Sequence, residues 1–503
     1  MDSRRSSKSL NERRSHRTRL SSNPAPYITR KIGTFDILDE ESLSLIERSA
    51  DRILSEVGIE VRNDPVSLKI FKDSGADVQG ERVRFETGFC RSVINNSAPS
   101  EFLQCARNHA RTVKFGGNSI VFSPAYGAPF VSALDIDRRY ARMSDFNDII
   151  KLAHMSPYFH HSGGTVCEPT DIDVSNRHLD MVRSHILYSD KPFMGSVTSE
   201  QRARDTLTMT EIVFGKDFIS ENCCTMGLIN INSPLVLDGT MLGALRAYSS
   251  ANQCCVVTPF VIGAAAGPMS PAGTLAQALA EVLAGVTLTQ LVRPGSPVIF
   301  GYLSTGLNMK SGAPVRYDET WKCFLAAGQL ARRLNIPFRC GSSTTSAKLP
   351  DYQAGLETAL NFKSALMAGT HFFIHASGST EGGLCFDFDK LILDSDMLGM
   401  AERFVEGFNV DVDTLCFEDI KDVGPGGNFF TSKHTLKNYR DGYFLPEVLD
   451  SQTFEQWAES GSKNSAELAM LKRKDLLNKY EPPAIELAMK DELNDFVERS
   501  RKV

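Results

Sequence analysis

The chain has 503 residues, of which 42% are hydrophobic and 23% charged, and its formal net charge at pH 7 is −6. These values are typical of a soluble globular protein with a large core. No apolar run near the start resembles a signal peptide and none reaches the roughly 20 residues that span a bilayer, so the sequence predicts a cytoplasmic protein without membrane contact.

The eleven cysteines favour the same compartment. Cys223/Cys224 and Cys254/Cys255 are adjacent pairs inside apolar, strand-like runs, a spacing that suits neither a zinc site nor easy disulfide pairing. We expect these residues to be buried thiols in a reducing compartment.

Residues 1–32 form a basic tail. They contain nine Lys or Arg and two acidic residues, so the tail carries +7 and the remainder of the chain −13. A segment rich in Ser and Arg cannot offset the entropy of ordering by burying apolar surface, and its composition predicts disorder. The tail is interpreted either as a solvated extension or as a contact for nucleic acid, an acidic partner or an import receptor.

The next segment, residues 33–115, is predicted to be a small α+β cap. Asp39 precedes the run EESLSLIERSADRILSEVG, whose apolar residues recur near i, i+3, i+4 and i+7 and which ends in glycine. This pattern is typical of a capped amphipathic helix. Short strand-like and helix-like fragments follow up to residue 115.

A regular alternation of strands and helices occupies residues 116–410. Single helical patterns separate eight strand-like runs, which are SIVFSP, YFHHSGGTV, PFMGSV, CCTMGLIN, CCVVTPFVIG, PVIFGYL, PFRCGS and HFFIHAS. Eight alternations are the number that a (β/α)8 TIM barrel requires, so the predicted fold class is α/β with this barrel at its centre. A doubly wound open sheet uses the same alternation and remains the alternative. Residues 411–503, with the loop VGPGGNFFTSKHT and charged helical runs, are predicted to be a C-terminal helical extension.

Active sites of such barrels lie at the C-terminal mouth, on the loops that follow the strands. That rule selects Tyr126, His160, His161, Thr165, Glu168, Asn230, Asn232, Phe260, Tyr302, Ser304, Thr305, residues 342–348, His375, Ser377, Ser379 and Glu381. Few of them are carboxylates or histidines, which is unlike a divalent metal centre, and the barrel has no phosphate-binding glycine loop. The mouth suits a small polar molecule.

Several of these candidate residues could have a structural role in place of a functional one. His160 and His161 are adjacent in a strand-like run, so only one can face the lumen, and either could be a core histidine. The aromatic residues Tyr126, Phe260 and Tyr302 could pack in the core or contact a cation.

Two charged residues of the last two loops need separate interpretation. Lys348 could form a Schiff base in a lyase or aldolase-type barrel, or could lie on the approach to a helix that Asp351 caps. Glu381 lies among Gly and Ser residues, where a carboxylate has no evident structural task, and this favours a functional role.

Three long motifs resemble the trimethylamine methyltransferase superfamily. In chain order they are PMSPAGTLAQALAEVLAGVTLTQLVRPGSPVIFG, RCGSSTTSAKLPDYQAG and VGPGGNFFTSKHTLKNYR. The resemblance extends from about Ile37 to the C-terminus and leaves out the basic tail. It implies a (β/α)8 barrel that transfers a methyl group from a methylated amine to the Co(I) form of a corrinoid carried by a separate small protein.

The trimethylamine branch of that superfamily carries pyrrolysine at the barrel mouth, whereas residues 343–350 here are all standard amino acids. The chain therefore resembles the non-pyrrolysine branch, which includes glycine betaine methyltransferases. The resemblance implies a quaternary amine as substrate, glycine betaine first, and no metal bound by the chain itself. A different methylated amine such as trimethylamine, and a barrel that only binds or senses ammonium compounds, are the alternatives.

A quaternary ammonium has a good neutral leaving group, so the protein needs to supply only binding and orientation of the cation. By their positions in the motifs and loops, the residues expected to bind the substrate are Tyr126, His160, Asn230, Phe260, Tyr302, Ser342, Ser343 and Thr344, and those expected to act in catalysis are His375 and Glu381. A corrinoid protein is the expected partner, nucleic acid is not, and the acidic body with its helical extensions favours a homo-oligomer.

Overall fold

The computed structural model describes residues 25–315, 318–440 and 442–501. The predicted disordered tail covers residues 1–32, and its first 24 residues lie outside the described part. Its last residues belong to the folded body: Ile28 and Thr29 form a short strand, and Arg30 is buried with its Nη1 2.5 Å from the carbonyl oxygen of Leu366. Burial of Ile28 and these hydrogen bonds order the end of the tail in spite of its polar composition.

The strands, numbered along the chain, are β1 (Ile28–Thr29), β2 (Ile59–Arg62), β3 (Asp77–Gln79), β4 (Arg82–Arg84), β5 (Glu101–Gln104), β6 (Val113–Gly116), β7 (Ser119–Phe122), β8 (Phe130–Ala133), β9 (Ile136–Tyr140), β10 (Phe193–Met194), β11 (Thr225–Ile231), β12 (Val236–Asp238), β13 (Cys254–Ile262), β14 (Val298–Leu307), β15 (Pro314–Val315), β16 (Phe338–Cys340), β17 (Phe372–Phe373), β18 (Ser379–Thr380) and β19 (Cys385–Asp387). The α-helices are α1 (Glu40–Arg52), α2 (Pro65–Asp73), α3 (Phe89–Ser97), α4 (Met143–Met155), α5 (Arg177–Tyr188), α6 (Glu200–Phe214), α7 (Lys216–Glu221), α8 (Gly239–Ser250), α9 (Pro271–Val292), α10 (Asp318–Arg333), α11 (Tyr352–Met367), α12 (Phe388–Val405), α13 (Phe417–Val423), α14 (Lys433–Asn438), α15 (Phe454–Glu459), α16 (Ser465–Asn478) and α17 (Leu487–Ser500).

The centre of the protein is a curled, mainly parallel sheet. Its parallel strands follow the order β7, β17, β16, β14, β13, β11 and β10, and helices connect neighbours in the sequence. The sheet forms a half-barrel covered by helices on its outer face, which confirms the predicted α/β class. We call the space on its concave side the lumen.

Seven of the eight predicted strands are present in the described part of the chain. The exception is YFHHSGGTV, which contains no regular strand within residues 158–166. The backbone N–H groups of both His160 and His161 point at one carbonyl oxygen, that of Phe122, at 3.1 and 3.2 Å. Two successive amides on one acceptor break the alternation of a ladder, and Gly163 follows with a φ of 97°.

This irregular segment nevertheless lies between the two outer parallel strands. On one side it is bonded to the end of β7, as described above. On the other side Ser162 donates its N–H to the carbonyl oxygen of Pro192 at 2.9 Å, and Met194 of β10 donates to that of Gly163 at 2.8 Å. Strand β1 pairs antiparallel with the beginning of β7.

Side chains alternate between the two faces of the sheet, as strand geometry requires. Outward side chains such as Phe122, Val257 and Phe300 pack against the helices. Inward side chains form a separate apolar cluster made of Val121, Met194, Met226, Leu228, Val256, Ile299, Phe372 and Ile374. The hairpin of β5 and β6 adds Phe115, whose ring lies 5.1 Å from that of Phe372, so the end of the lumen where the strands begin is filled.

The N-terminal cap packs against the outer face through α9. Helices α1 and α3 both contact this helix. Helix α9 has 22 residues and is apolar enough to cross a membrane, although the sequence was expected to hold no run of that length; 89% of its most apolar window is buried inside the protein. It is therefore a core helix that neighbours enclose on most sides.

The C-terminal segment contains two differently packed parts. Helix α16 packs against α12 and α4, and its buried Arg473 is ion-paired with Asp389 and Asp135. In contrast, the residues between α12 and α16 leave large apolar side chains exposed, among them Phe408, Phe430 and Tyr443. The segment thus lies outside the half-barrel, anchored by its later helices.

Candidate functional site

A row of mostly small and polar side chains adjoins the apolar cluster of the lumen. The register of the strands places Asn230, Thr258, Gly301 and Arg339 side by side on β11, β13, β14 and β16, and Phe372 follows on β17. A Cβ atom added at Gly301 would lie 1.8 Å from the Thr258 Oγ1 atom. The absence of a side chain at Gly301 therefore leaves room for the side chain of Thr258.

Arg339 is the charged member of this row. It is the largest of the fully buried side chains, with 1% of its surface exposed. Its neighbours on β16, Phe338 and Cys340, belong to the cluster under the helices, so Arg339 projects into the lumen. The guanidinium Nη2 lies 3.3 Å from Nδ1 of His375.

His375 follows β17 in an unusual backbone conformation. Its φ of 69° lies in the left-handed region, which a non-glycine residue rarely adopts. The Nε2 atom lies 3.1 Å from the carbonyl oxygen of Tyr126, an acceptor only, so Nε2 carries the proton. The Nδ1 lone pair then faces Arg339. The structure thus brings His375 and Tyr126 together at the mouth and adds Arg339 to them.

The Ser/Thr loop after β16 supports this arrangement through its hydroxyl groups. Ser342 Oγ donates to the carbonyl oxygen of His375 at 2.9 Å, and Ser343 Oγ donates to that of Ala376 at 2.6 Å. Both serines are fully buried, and Thr344 is 4% exposed. These two serine hydroxyls, which were expected to bind substrate, donate to the backbone of the neighbouring loop.

A buried ion pair fixes the same two loops from behind. Lys390 Nζ of α12 lies 2.6 Å from the Asp394 Oδ2 atom and 3.1 Å from the carbonyl oxygen of Ser343. The Asp394 carboxylate also accepts the N–H of Gly378 at 2.9 Å. Burial raises the pKa of Asp394, partly offset by the charge of Lys390.

The two adjacent histidines face opposite sides, although the segment that carries them is not a regular strand. His160, predicted to bind substrate, packs against Phe122 on the helix side; its Nδ1 accepts the N–H of Phe122 at 3.0 Å, and burial lowers its pKa to about 3. His161 packs on the lumen side, with its ring centroid 5.2 Å from that of Phe372 and the two ring planes tilted by 55°.

His161 is a neutral hydrogen-bond donor directed at the lumen. Its Nδ1 accepts the N–H of Gly163 at 2.9 Å, so its Nε2 carries the proton. The side chain is fully buried, and burial lowers its pKa well below the usual range. Nε2, like Thr258 Oγ1 and Ser123 Oγ, has no hydrogen-bond partner within the part of the chain that the structure describes.

Tyr126 forms the wall between the first loop and the irregular second segment. A Cβ at Gly164 would lie 2.8 Å from its Cε2 atom, so the glycine permits this close packing. Burial raises the pKa of the phenol, although a hydrogen bond with Thr165 partly offsets the effect. Tyr126 therefore remains a neutral aromatic group at physiological pH.

Asn230 and Phe260 are the predicted residues that reach the open part of the mouth. Both share the inward faces of their strands, Asn230 with Leu228 and Phe260 with Thr258, and both are exposed, Phe260 by 37%. The loops beyond them add Met269 and Met309, which are 80% and 70% exposed. The C-terminal rim of the lumen thus presents apolar surface to solvent.

Tyr302 and Glu381 have protein contacts that the sequence did not predict. Tyr302 faces the helices because it has the parity of Phe300 on β14, and its ring lies 6.4 Å from that of Phe324 on α10. Glu381 forms a bidentate ion pair with Arg138, with contacts from 2.7 to 3.0 Å. The carboxylate therefore has a structural partner that the sequence did not reveal.

Arg339 and Thr258 face the lumen but were not selected from the sequence, and His161 was selected as a mouth residue but was not among the residues expected to bind substrate. A signal for Arg339 was present, since a lone arginine inside the apolar run PFRCG is unusual for a buried strand. Arg339 was not selected because only residues near the loops that follow the strands were considered, and Arg339 lies within β16. Within residues 25–315, 318–440 and 442–501, no group of three or more His, Cys, Asp or Glu residues is arranged to hold a metal ion.

A comparison with protein families and with characterised proteins places this geometry in context. The family model described as trimethylamine methyltransferase (MTTB) matches residues 3–503, including most of the basic tail that the three motifs left out. A glycine betaine methyltransferase of Desulfitobacterium hafniense (strain Y51) is 38% identical over 470 residues, which cover 93% of this chain and 98% of that protein.

More distant relatives extend the comparison. A proline betaine:corrinoid methyltransferase of Eubacterium limosum is 25% identical, with 92% of this chain and 96% of that protein covered. The trimethylamine methyltransferase MttB2 of Methanosarcina mazei is 27% identical over 92% of this chain and 94% of its own length. The crystal structure of the hydroxylamine complex of MtmB shares the fold, with a TM-score of 0.53, 13% identity and coverage of 92% and 91% of the two chains.

Proposed function

The chain belongs to the trimethylamine methyltransferase (MTTB) family, and from that premise we propose that it transfers a methyl group from glycine betaine to the Co(I) corrinoid of a separate protein. The observation that carries the proposal is the match of 38% identity, over almost the full length of both chains, to a glycine betaine methyltransferase. The name of the proline betaine relative supports both the class of quaternary amine and the corrinoid acceptor.

The proposed reaction requires binding and orientation of the substrate from the protein, and no proton transfer by its side chains. The bond between nitrogen and one methyl carbon breaks, its electron pair stays on nitrogen, and a neutral tertiary amine leaves. The corrinoid supplies the nucleophile that takes the methyl group. No proton moves, so the side chains need only to hold the cation with one methyl group towards the mouth.

The mouth residues suit that task. Tyr126 and Phe260 can offer aromatic faces to an ammonium group, and burial keeps the Tyr126 phenol neutral. Asn230, exposed on the next strand, can contribute an amide oxygen or N–H. In this proposal His375 orients its neighbours through its two ring nitrogens, and the buried serines of the adjoining loop keep its backbone in the left-handed conformation.

We propose further that the half-barrel closes into a (β/α)8 barrel. The hydrogen bonds of residues 160–163 to the end of β7 and to β10 support closure, because this segment occupies the position of the missing strand.

The rim of the lumen supports docking of the corrinoid carrier at the mouth. Phe260 is exposed near the end of β13, Met269 and Met309 are exposed on the loops after β13 and β14, and a flat macrocycle has an apolar face of its own. Every cysteine of the chain is a free thiol, which supports action in a reducing cytoplasm.

The test combines the purified protein with a corrinoid protein or free corrinoid reduced to Co(I), and glycine betaine. We expect loss of the Co(I) absorbance together with formation of one equivalent of dimethylglycine, measured by mass spectrometry. Trimethylamine serves as the matched alternative substrate and should give no transfer. Absence of transfer from any quaternary amine, with tight calorimetric binding of glycine betaine, would instead identify a binding barrel.

A further inference from the structure

We propose that residues 406–447, which we call the arm, form the interface through which this chain pairs with a second copy of itself. The arm joins α12 to the C-terminal helices and includes the motif VGPGGNFFTSKHTLKNYR, for which the proposed reaction has no use. The pairing is independent of the methyl transfer proposed above and would hold for any reaction at the mouth.

The arm is ordered although it has no core of its own. Its helices α13 and α14 have seven and six residues, well below the roughly 12–15 residues that an isolated helix needs in water. The N–H of His434 donates to the Asp419 carboxylate at 2.7 Å and joins the two helices. None of the described residues of the arm, 406–440 and 442–447, is buried. Helices this short therefore require packing against a surface outside the arm.

Large apolar side chains supply the face for that packing. Four aromatic side chains are between 67% and 89% exposed, namely Phe408, Phe417, Phe430 and Tyr443. At about 150–250 Å² for each complete aromatic side chain, these four leave roughly 500–800 Å² in solvent. A stable interface buries about 800 Å² on each partner. The remaining exposed apolar residues extend this area, and they are Val410, Val412, Leu415, Ile420, Phe429, Leu436, Tyr439 and Leu445.

Both arm helices carry their exposed apolar residues at a spacing that places them on one side. Phe417 and Ile420 are three residues apart on α13, and Leu436 and Tyr439 are three residues apart at the end of α14. Residues at this spacing share a helix face. Each helix is thus amphipathic, with its apolar face uncovered in the single chain.

The attachment of the arm separates it from the mouth. Its first residue follows Val405, whose carbonyl oxygen accepts the N–H of Lys31 at 2.8 Å. Lys31 comes just after β1, which pairs with the beginning of β7, at the end of the sheet opposite the mouth. The arm returns to the second half of α12, where the N–H of Val448 donates to the Asp396 carboxylate at 2.7 Å. A corrinoid carrier that docks at the mouth therefore lies at the other end of the half-barrel.

A permanent partner suits this surface better than a transient one. A carrier that exchanges between methyl transfers would expose the arm in every cycle, and exposed apolar area of this size promotes aggregation. Interfaces between permanently paired copies are the most apolar class. A second copy is always present at the concentration of the arm itself, and a two-fold axis would cover both arms in one contact.

The experiment measures the mass of the full chain in solution by sedimentation velocity over a series of concentrations. We expect at least twice the 55.5 kDa of one chain. The triple variant Phe408→Asp/Phe430→Asp/Tyr443→Asp should raise the Kd of the pair by more than about 100-fold, since exposed aromatic anchors dominate such contacts. The matched control, Leu134→Asp/Val174→Asp/Leu487→Asp, changes exposed apolar residues outside the arm and should keep the wild-type mass.

A second measurement covers the case in which the triple variant does not fold. Wild-type chains labelled with ¹⁵N and unlabelled chains are equilibrated and cross-linked through lysines, and mass spectrometry should find links from Lys433 or Lys437 to the other copy. A monomeric wild type, or an oligomer whose mass the arm variant leaves unchanged, overturns the proposal. Loss of carrier binding in an arm variant that keeps its mass also overturns it, because the carrier would then be the occupant.

Discussion

Arg339 and His375 are linked across two neighbouring strands by a contact of 3.3 Å between Nη2 and Nδ1, and the same imidazole reaches the carbonyl oxygen of Tyr126 at 3.1 Å. One ring therefore connects the ends of β16, β17 and β7. Because its backbone has a left-handed φ, few other residue types could occupy position 375 without strain.

The first prediction concerns this histidine. His375→Asn tolerates the left-handed backbone but loses the contacts of both ring nitrogens, so the guanidinium loses its orientation. We expect KM for glycine betaine to rise about 10-fold with a smaller change in kcat, measured by steady-state kinetics. His371→Asn, at a histidine that bonds Phe338 N and the carbonyl oxygen of Gly117, is the matched control and should leave KM unchanged. Equal effects of the two variants would contradict a role in positioning.

The second prediction concerns the space above Gly301. Gly301→Ala would place a methyl group 1.8 Å from Thr258 Oγ1 and 2.9 Å from the carbonyl oxygen of Val257. We expect the free energy of unfolding to fall by roughly 1–3 kcal/mol, the usual cost of overpacking, in urea denaturation. Gly355→Ala, in α11 with open space around the position, should instead leave stability unchanged or raise it.

The third prediction concerns the buried ion pair behind the mouth. Lys390→Met leaves the Asp394 carboxylate buried without its cation and should lower the free energy of unfolding by about 3–5 kcal/mol. The double variant Lys390→Met/Asp394→Leu should recover much of that loss in the same urea titration. Arg52→Met, which breaks an exposed pair with Glu56, should leave the free energy of unfolding nearly unchanged. A Lys390 variant as mild as the Arg52 variant would show that the loops do not depend on the pair.

The fourth prediction concerns acid stability. Burial lowers the pKa of His160 to about 3 and those of His185 and His371 to about 4. Each of these histidines binds a proton in the unfolded chain below about pH 6.5 but not in the native state until the pH nears its lowered pKa. Stability should therefore fall as the pH drops from 6.5 to 4, by roughly 1.4 kcal/mol per pH unit for each histidine.

The pH dependence can be assigned with one variant. In His371→Asn the slope of stability against pH between 6.5 and 4 should be smaller than in wild type by about one proton. An unchanged slope would mean that His371 titrates alike in both states, so its burial would not contribute to acid unfolding.

More of the fold than of the candidate site could be predicted from the sequence. Seven strands were predicted because runs such as CCVVTPFVIG combine strong β propensity with clear boundaries. The remaining run, YFHHSGGTV, is not a regular strand because two amides share the carbonyl oxygen of Phe122 and Gly163 turns the chain. That outcome depends on the partner strand, which the local sequence does not encode.

The site residues illustrate a different limit. A loop rule selects residues by position in the chain, whereas side-chain direction depends on parity within a strand. Tyr302 and His160 were selected by position, yet parity directs them to the helices. Arg339 and His161 have the opposite parity. The partner of Glu381, Arg138, lies 243 residues away in the sequence and could not be read from its neighbours.

Phe115 and its hairpin, which fill one end of the lumen, impose an order on the reaction. A small molecule that enters the lumen from the mouth must do so before a large carrier covers the mouth. Under the proposed function the amine therefore binds first, the corrinoid carrier second, and the demethylated amine leaves only after the carrier departs. Product inhibition by the tertiary amine should be competitive with the betaine, and the turnover rate should follow the lifetime of the encounter between the two proteins.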